Sequence, residues 1–180
     1  EAIDALPKGK HQKTLANVLV SQAVLYRWAG EFETVAQLCE NALSLIQSED
    51  NPRNYITGLD NLAFVMEHQG DLKKALEYAT QEYHIAQQSH DEELVLQAIK
   101  TLAIFEDLSG NIETARTLYQ TALTSYRNMG DLIGTMEVLS NFGEMTFEQG
   151  QTQEAREMFE ETLALAKANG DEGFPYMSLA

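Results

Sequence analysis

The chain is poor in cysteine, proline, basic residues and long apolar runs. One cysteine, Cys39, among 180 residues cannot build an internal disulfide framework, which fits a reducing compartment. Three prolines leave room for long uninterrupted helices. Lys and Arg total 12 against 28 Asp and Glu, a formal net charge of -16. A surface this acidic repels nucleic acid and anionic lipid, and it favours basic or uncharged partners. No apolar run approaches the roughly 20 residues of a membrane span, and no signal-peptide pattern is read. These absences together predict a cytoplasmic location. What the chain does have is a 44% apolar content, enough for a sizeable core.

It also has a repeat. Gly30, Gly70, Gly110 and Gly150 stand 40 residues apart. Five residues after each come Val35, Ala75, Ala115 and Ala155, and eight further on Leu43, Tyr83, Leu123 and Leu163. Seven residues before each glycine stand Ala23, Ala63, Ala103 and Gly143. A second column, Asn51, Asp91, Asp131 and Asp171, keeps the same period. Repeats of this length mean stacked supersecondary units.

Each period predicts two helices. "ELVLQAIKTLAIFEDLS" carries Leu94, Ile99, Leu102, Ala103 and Leu108 at helical spacing, and "IETARTLYQTALTSYRNM" carries Ala115, Leu118, Tyr119, Ala122, Leu123 and Tyr126. No window alternates long enough for a strand. Glycine after a helix takes the left-handed conformation without a Cβ clash. Asp or Asn just after it caps the next helix. Gly70-Asp71, Gly110-Asn111, Gly130-Asp131 and Gly170-Asp171 are therefore read as stop-and-start marks.

The small residue at Ala63, Ala103 or Gly143, the turn glycine, the alanine five later and Tyr119 or Phe159 nine later resemble the consensus of tetratricopeptide repeats. The 40-residue period is longer than that family's usual repeat of about 34. It is similar to the helical arrays of bacterial signal-transduction ATPases and of regulators of the maltose-activator type. The resemblance implies an all-α fold, an α-α superhelix (TPR-like solenoid) of antiparallel helix pairs. The expected organisation is the end of a preceding repeat at 1–12, repeats at 13–50, 51–90, 91–130 and 131–170, and the start of a truncated fifth at 171–180.

Chemistry is scarce. "NMGDLIGT", Asn128 to Thr135, has the look of a phosphate loop. It lacks the lysine and the strand-to-helix setting such a loop needs, so it reads as helix punctuation. His11, His68, His84 and His90 contain no pair at i, i+4 spacing for zinc. The acidic run with Glu157, Glu160 and Glu161 beside Arg156 reads as a solvated helix face. Cys39 falls in a core column and reads as a small buried group rather than a nucleophile. Trp28 reads as packing. No catalytic residue, metal site or cofactor is expected. An enzyme would have to be sought around His84 or Glu82.

The resemblance also implies where a partner sits. In the family the first helix of each repeat lines a concave groove, at positions ten, six and three before the turn glycine. Those are Val20, Val24, Arg27; Asp60, Phe64, Glu67; Lys100, Ile104, Asp107; and Ser140, Glu144, Phe147. Asn61 and Asn141 stand beside them and could hydrogen-bond a peptide backbone. The expected function is a non-enzymatic protein-interaction module that binds an apolar or basic peptide or helix, as the sensor or scaffold part of a larger bacterial regulator. The rival expectation is a receptor domain for a small-molecule or oligopeptide inducer in a signalling ATPase or transcription regulator. Neither nucleic acid nor membrane is an expected partner. Self-association through apolar ends is a further expectation.

Overall fold

In the computed structural model, residues 8–169 are described. Among them are eight helices and no strand: α1 (Lys8–Trp28), α2 (Phe32–Leu45), α3 (Pro52–His68), α4 (Leu72–Ser89), α5 (Glu92–Leu108), α6 (Ile112–Met129), α7 (Leu132–Glu148) and α8 (Thr152–Ala168). The expected all-α architecture of paired helices is what the chain adopts. The chain parts into two compact units, residues 1–111 and 112–180. The division falls after the Gly110-Asn111 turn, inside the third period of the sequence.

The punctuation works as chemistry requires. Gly30, Gly70, Gly110, Gly130 and Gly150 all take positive φ, between 70° and 82°. Asn51 accepts from the Asn54 N–H, Asp71 from Lys74, Asp91 from Glu93 and Leu94, and Asp131 from Gly134. Each cap satisfies amides that the first helical turn leaves orphaned. His90 closes α4 at φ 56° and is the non-glycine residue in this conformation among the described residues. It stands where Gly130 stands one period later. Gly170 and Asp171 lie outside the described residues.

In the first unit, α1 and α2 enclose Ala16, Val20, Ala42 and Ile46, against which Leu19, Leu45 and Tyr55 pack. A second cluster joins α3, α4 and α5 through Ile56, Ala86, Leu94 and Ala98. Small residues let backbones approach here: a Cβ on Gly58 would sit 3.0 Å from the Leu43 side chain. In the second unit the rings do the filling. Tyr119 on α6 stacks on Phe142 of α7 at 5.4 Å between centroids. A Cβ on Gly143 would come within 2.8 Å of the Phe159 ring, and one on Gly134 would strike Tyr126. Gly134 of "NMGDLIGT" is thus a packing residue, and the loop is a helix cap.

Ion pairs link helices on the surface. Arg53 reaches Asp91 and Glu93 of the next period at 3.2 Å, and Lys13 reaches Asp50 at the end of its own at 2.8 Å. In the second unit Arg127 holds Glu161 at 2.6 Å. Such exposed pairs contribute about 0–1 kcal/mol each, so the core and the caps carry the fold. No described helix is long and apolar enough to cross a membrane.

Candidate functional site: a charged and aromatic row on the first helices

The first helices of the repeats bring part of the expected groove together within the first unit. Arg27, at the end of α1, donates to Asp60 Oδ2 on α3 at 2.9 Å and to Asn61 Oδ1 at 3.3 Å. Its guanidinium lies 4.7 Å from the centroid of the Phe64 ring. Phe64 contacts Phe32 on α2 at 5.8 Å, and Phe32 contacts His68 at 3.9 Å. One cation, one carboxylate and three rings therefore form a continuous patch across α1, α2 and α3. The repeat explains it: Arg27 and Glu67, or Asp60 and Lys100, occupy equal places one period apart, so their helical phase repeats.

Val24, Asp60, Phe64, Glu67, Lys100, Ile104 and Asp107 are all half-buried. They keep one face toward solvent while the rest packs. Two expected groove residues do not. Val20 is 3% exposed and belongs to the α1–α2 core. Being apolar, it turns under Ile46, where its equivalents Asp60, Lys100 and Ser140 stay partly in water. Asn61 is fully buried. Its amide donates to the Thr57 carbonyl at 2.7 Å, and its oxygen accepts from Arg27. It is consumed within the fold and is not offered to a peptide backbone. In the second unit, α7 carries Asn141 half-buried and Glu144 and Phe147 exposed, Phe147 by 57%. Burial and the neighbouring Glu148 push the Glu144 carboxyl above its usual range.

Trp28 corrects another expectation. It is 83% exposed and packs into no core. Its column contains His68, Leu108 and Glu148, all exposed, because the last helical residue before the turn points outward in every period. Cys39 is fully buried, as its column predicts. Burial, and then the Asp60 charge, push its thiol up to about 12.

The column logic also exposes a residue that family positions alone do not. Position 82 belongs with Ala42, Ala122 and Thr162. Here α4 carries a glutamate, and Glu82 is fully buried. The Thr101 hydroxyl on α5 is close enough to favour the charged form, yet neither carboxylate oxygen meets hydrogen-bond geometry with any described group. Burial drives the Glu82 carboxyl well above the ordinary range, and the nearby Asp60 charge adds to it. Thr101 and Lys100 oppose this.

No group of three or more metal-ligating side chains is assembled among the described residues. His84 is exposed on α4, and "NMGDLIGT" is occupied by its own cap. A cleft of about 230 Å³ between the α2–α3 turn and the end of α4 is lined by Ser48, Glu49, Pro52, Ile85, Gln88 and Ser89. That is smaller than ligand pockets of about 300–1,000 Å³. What the unit offers best is an extended, partly polar face.

Comparison with known proteins supports the paired-helix fold. The family model described as "Tetratricopeptide repeat" matches residues 14–88 and again 94–168. A kinesin light chain-related protein of Arabidopsis thaliana is 22% identical over 88% of this chain, which spans 25% of that protein's length. Among solved structures, BtubC (BKLC) from P. vanneervenii aligns over 94% of this chain and 70% of its own, at TM-score 0.71 and 21% identity. The apo form of RapI aligns over 91% of this chain and 57% of its own, at TM-score 0.74 and 14% identity.

Proposed function

The chain belongs to the tetratricopeptide repeat family, and from that premise we propose that it is a non-enzymatic protein-interaction module that holds a peptide or helix along the first helices of its repeats. The observation that supports this is the row formed by Arg27, Asp60 and Phe64, with Val24 and Ile104 in the same phase. It places a charge pair beside apolar surface, half in solvent, on consecutive first helices. Interfaces work with such mixtures, an apolar anchor ringed by polar groups that fix register.

In this reading the working units are repeats 13–50, 51–90, 91–130 and 131–170; the starts of α3, α5 and α7 directly after Asn51, Asp91 and Asp131 support that division. The net charge of -16 favours a basic or apolar partner and disfavours nucleic acid. The chain corresponds to a quarter of its Arabidopsis relative, so a place as sensor or scaffold within a larger cytoplasmic regulator, with signalling as the output, fits a module of this size.

The test uses the immobilised chain and Phe64→Asp and Ile104→Asp variants of it. Proteins retained from the source cells are compared by mass spectrometry. The specific set retained by the natural chain disappears with either variant. An unchanged set for both folded variants would falsify the groove assignment.

A further inference from the structure

The outward row on α7 inverts the pattern of the first helices before it. Ile133, Glu137, Ser140, Glu144 and Phe147 follow one another at intervals of four, three, four and three residues, so they share one face. None of the five is buried, whereas Gly134, Val138, Leu139 and Met145 between them are. Ile133 is 56% exposed and Phe147 57%. The column of Ile133 otherwise holds Lys13, Arg53 and Glu93, and that of Phe147 holds Arg27, Glu67 and Asp107. The column of Glu144 otherwise holds Val24, Phe64 and Ile104. The α7 row is thus apolar where its equivalents are charged, and charged where they are apolar. Packing does not require either apolar end, since every equivalent does without one. In the first unit, Arg27 and Arg53 are neutralised within the chain by Asp60, Asp91 and Glu93. α7 has three glutamates and no basic residue of its own. Partial burial and the like charge of Glu148 push the Glu144 carboxyl up, with no cation opposing them.

We propose that this face of α7 is a docking seam for a basic amphipathic helix that carries an apolar side chain at each end and lysine or arginine between. The spacing selects a helix. Alternating steps of four and three residues are the seam along which one helix meets another, so the partner matches α7 turn for turn. Ile133 and Phe147 stand about 21 Å apart at 1.5 Å per residue, which puts the partner's apolar residues two heptads apart. The charge selects a basic one. Glu144, between Glu137 and Glu148 on a chain of net charge -16, attracts a cation and fixes its register, while the exposed rings and methyls at the ends supply the anchors. This assignment rests on the groove reading above. It extends that reading to the second unit and gives the partner a pattern as well as a charge.

The probe is an alanine-rich helical peptide with leucine at both ends of a two-heptad seam and arginine at two places between. The control has the same composition with leucine and arginine exchanged. Fluorescence anisotropy reads the affinity of each for the whole chain. The matched peptide binds with a Kd at least about tenfold below that of the control. Phe147→Ser and Glu144→Lys each weaken it at least about tenfold. Both positions are exposed, so the circular dichroism of the variants stays that of the natural chain. Glu157→Lys, an equal change of charge on α8, leaves the affinity unaltered. A peptide with glutamate in place of arginine recovers binding to Glu144→Lys. Equal binding of the two peptides, full binding to Phe147→Ser, or an effect of Glu157→Lys as large as that of Glu144→Lys overturns the seam. The groove is judged separately. Loss of the retained partners in Phe64→Asp with no preference between the peptides leaves the groove standing and removes the seam. An unchanged partner set in Phe64→Asp and Ile104→Asp with the preference intact removes the groove from the first unit and leaves the seam on α7.

Discussion

Arg27 and Asp60, 33 residues apart, close a 2.9 Å ion pair between α1 and α3. Both side chains are about 30% exposed, so the pair sits between the weak surface case and the costly buried one. The two ends are not equivalent. Arg27 also bonds Asn61 and covers Phe64, whereas Asp60 also repels Glu82. Removing Arg27 therefore costs more than neutralising Asp60. Arg27→Met is expected to lower stability by about 1–2 kcal/mol, and Asp60→Asn by less. Urea unfolding of both variants measures this, and the reverse order contradicts the assignment of roles.

Glu82 gives a pH signature. Its folded proton affinity is raised, so the folded chain keeps a proton that the unfolded chain releases above the ordinary glutamate range. The stability associated with Glu82 is therefore full below about pH 4.5 and is lost as pH rises through the folded value. Glu82→Ala is expected to be more stable than the natural chain at pH 7, by about 1–3 kcal/mol. That gap should shrink toward acid pH. A gap independent of pH would mean that Glu82 is ionised in the folded chain as freely as in the unfolded one.

Gly134 and Tyr126 share one space. The ring occupies the place where a Cβ on residue 134 would sit. Gly134→Ala is expected to destabilise by about 1–3 kcal/mol through overpacking. Adding Tyr126→Leu should recover part of that loss. A double-mutant cycle with no coupling would separate the two residues.

Cys39 is expected to be inert while the chain is folded. With its thiol at about 12, the thiolate fraction at pH 8 is roughly a thousandfold below that of an ordinary cysteine. Modification by a disulfide reagent should proceed at the rate of opening and speed up sharply in urea. Rapid labelling in native buffer would show that α2 does not seal the thiol.

Much of the fold was legible because helix punctuation is local. The run read as "IETARTLYQTALTSYRNM" is α6, Ile112–Met129, and four of the five positive-φ glycines, Gly30, Gly70, Gly110 and Gly150, stand in the column the period predicts. The candidate site was less legible because exposure is not local. Position ten before the glycine is half-buried when it is Asp60 or Lys100 and fully buried when it is Val20. Asn61 and Trp28 exchanged their expected roles: the amide is used inside and the indole stands outside. Glu82 departs from Ala42, Ala122 and Thr162 in its column, but its cost comes from burial, which depends on neighbouring helices and not on local spacing.

The turns after α1, α3, α5 and α7 share one backbone, with φ of 76°, 81°, 82° and 77° at their glycines. Any of these glycines can accordingly serve as a splice point for any other. Joining Gly30 to Asp71, or inserting a second copy of residues 71–110 after Gly110, recreates a junction the chain already contains. The chain is thus adjustable in steps of 40 residues without inventing a new turn.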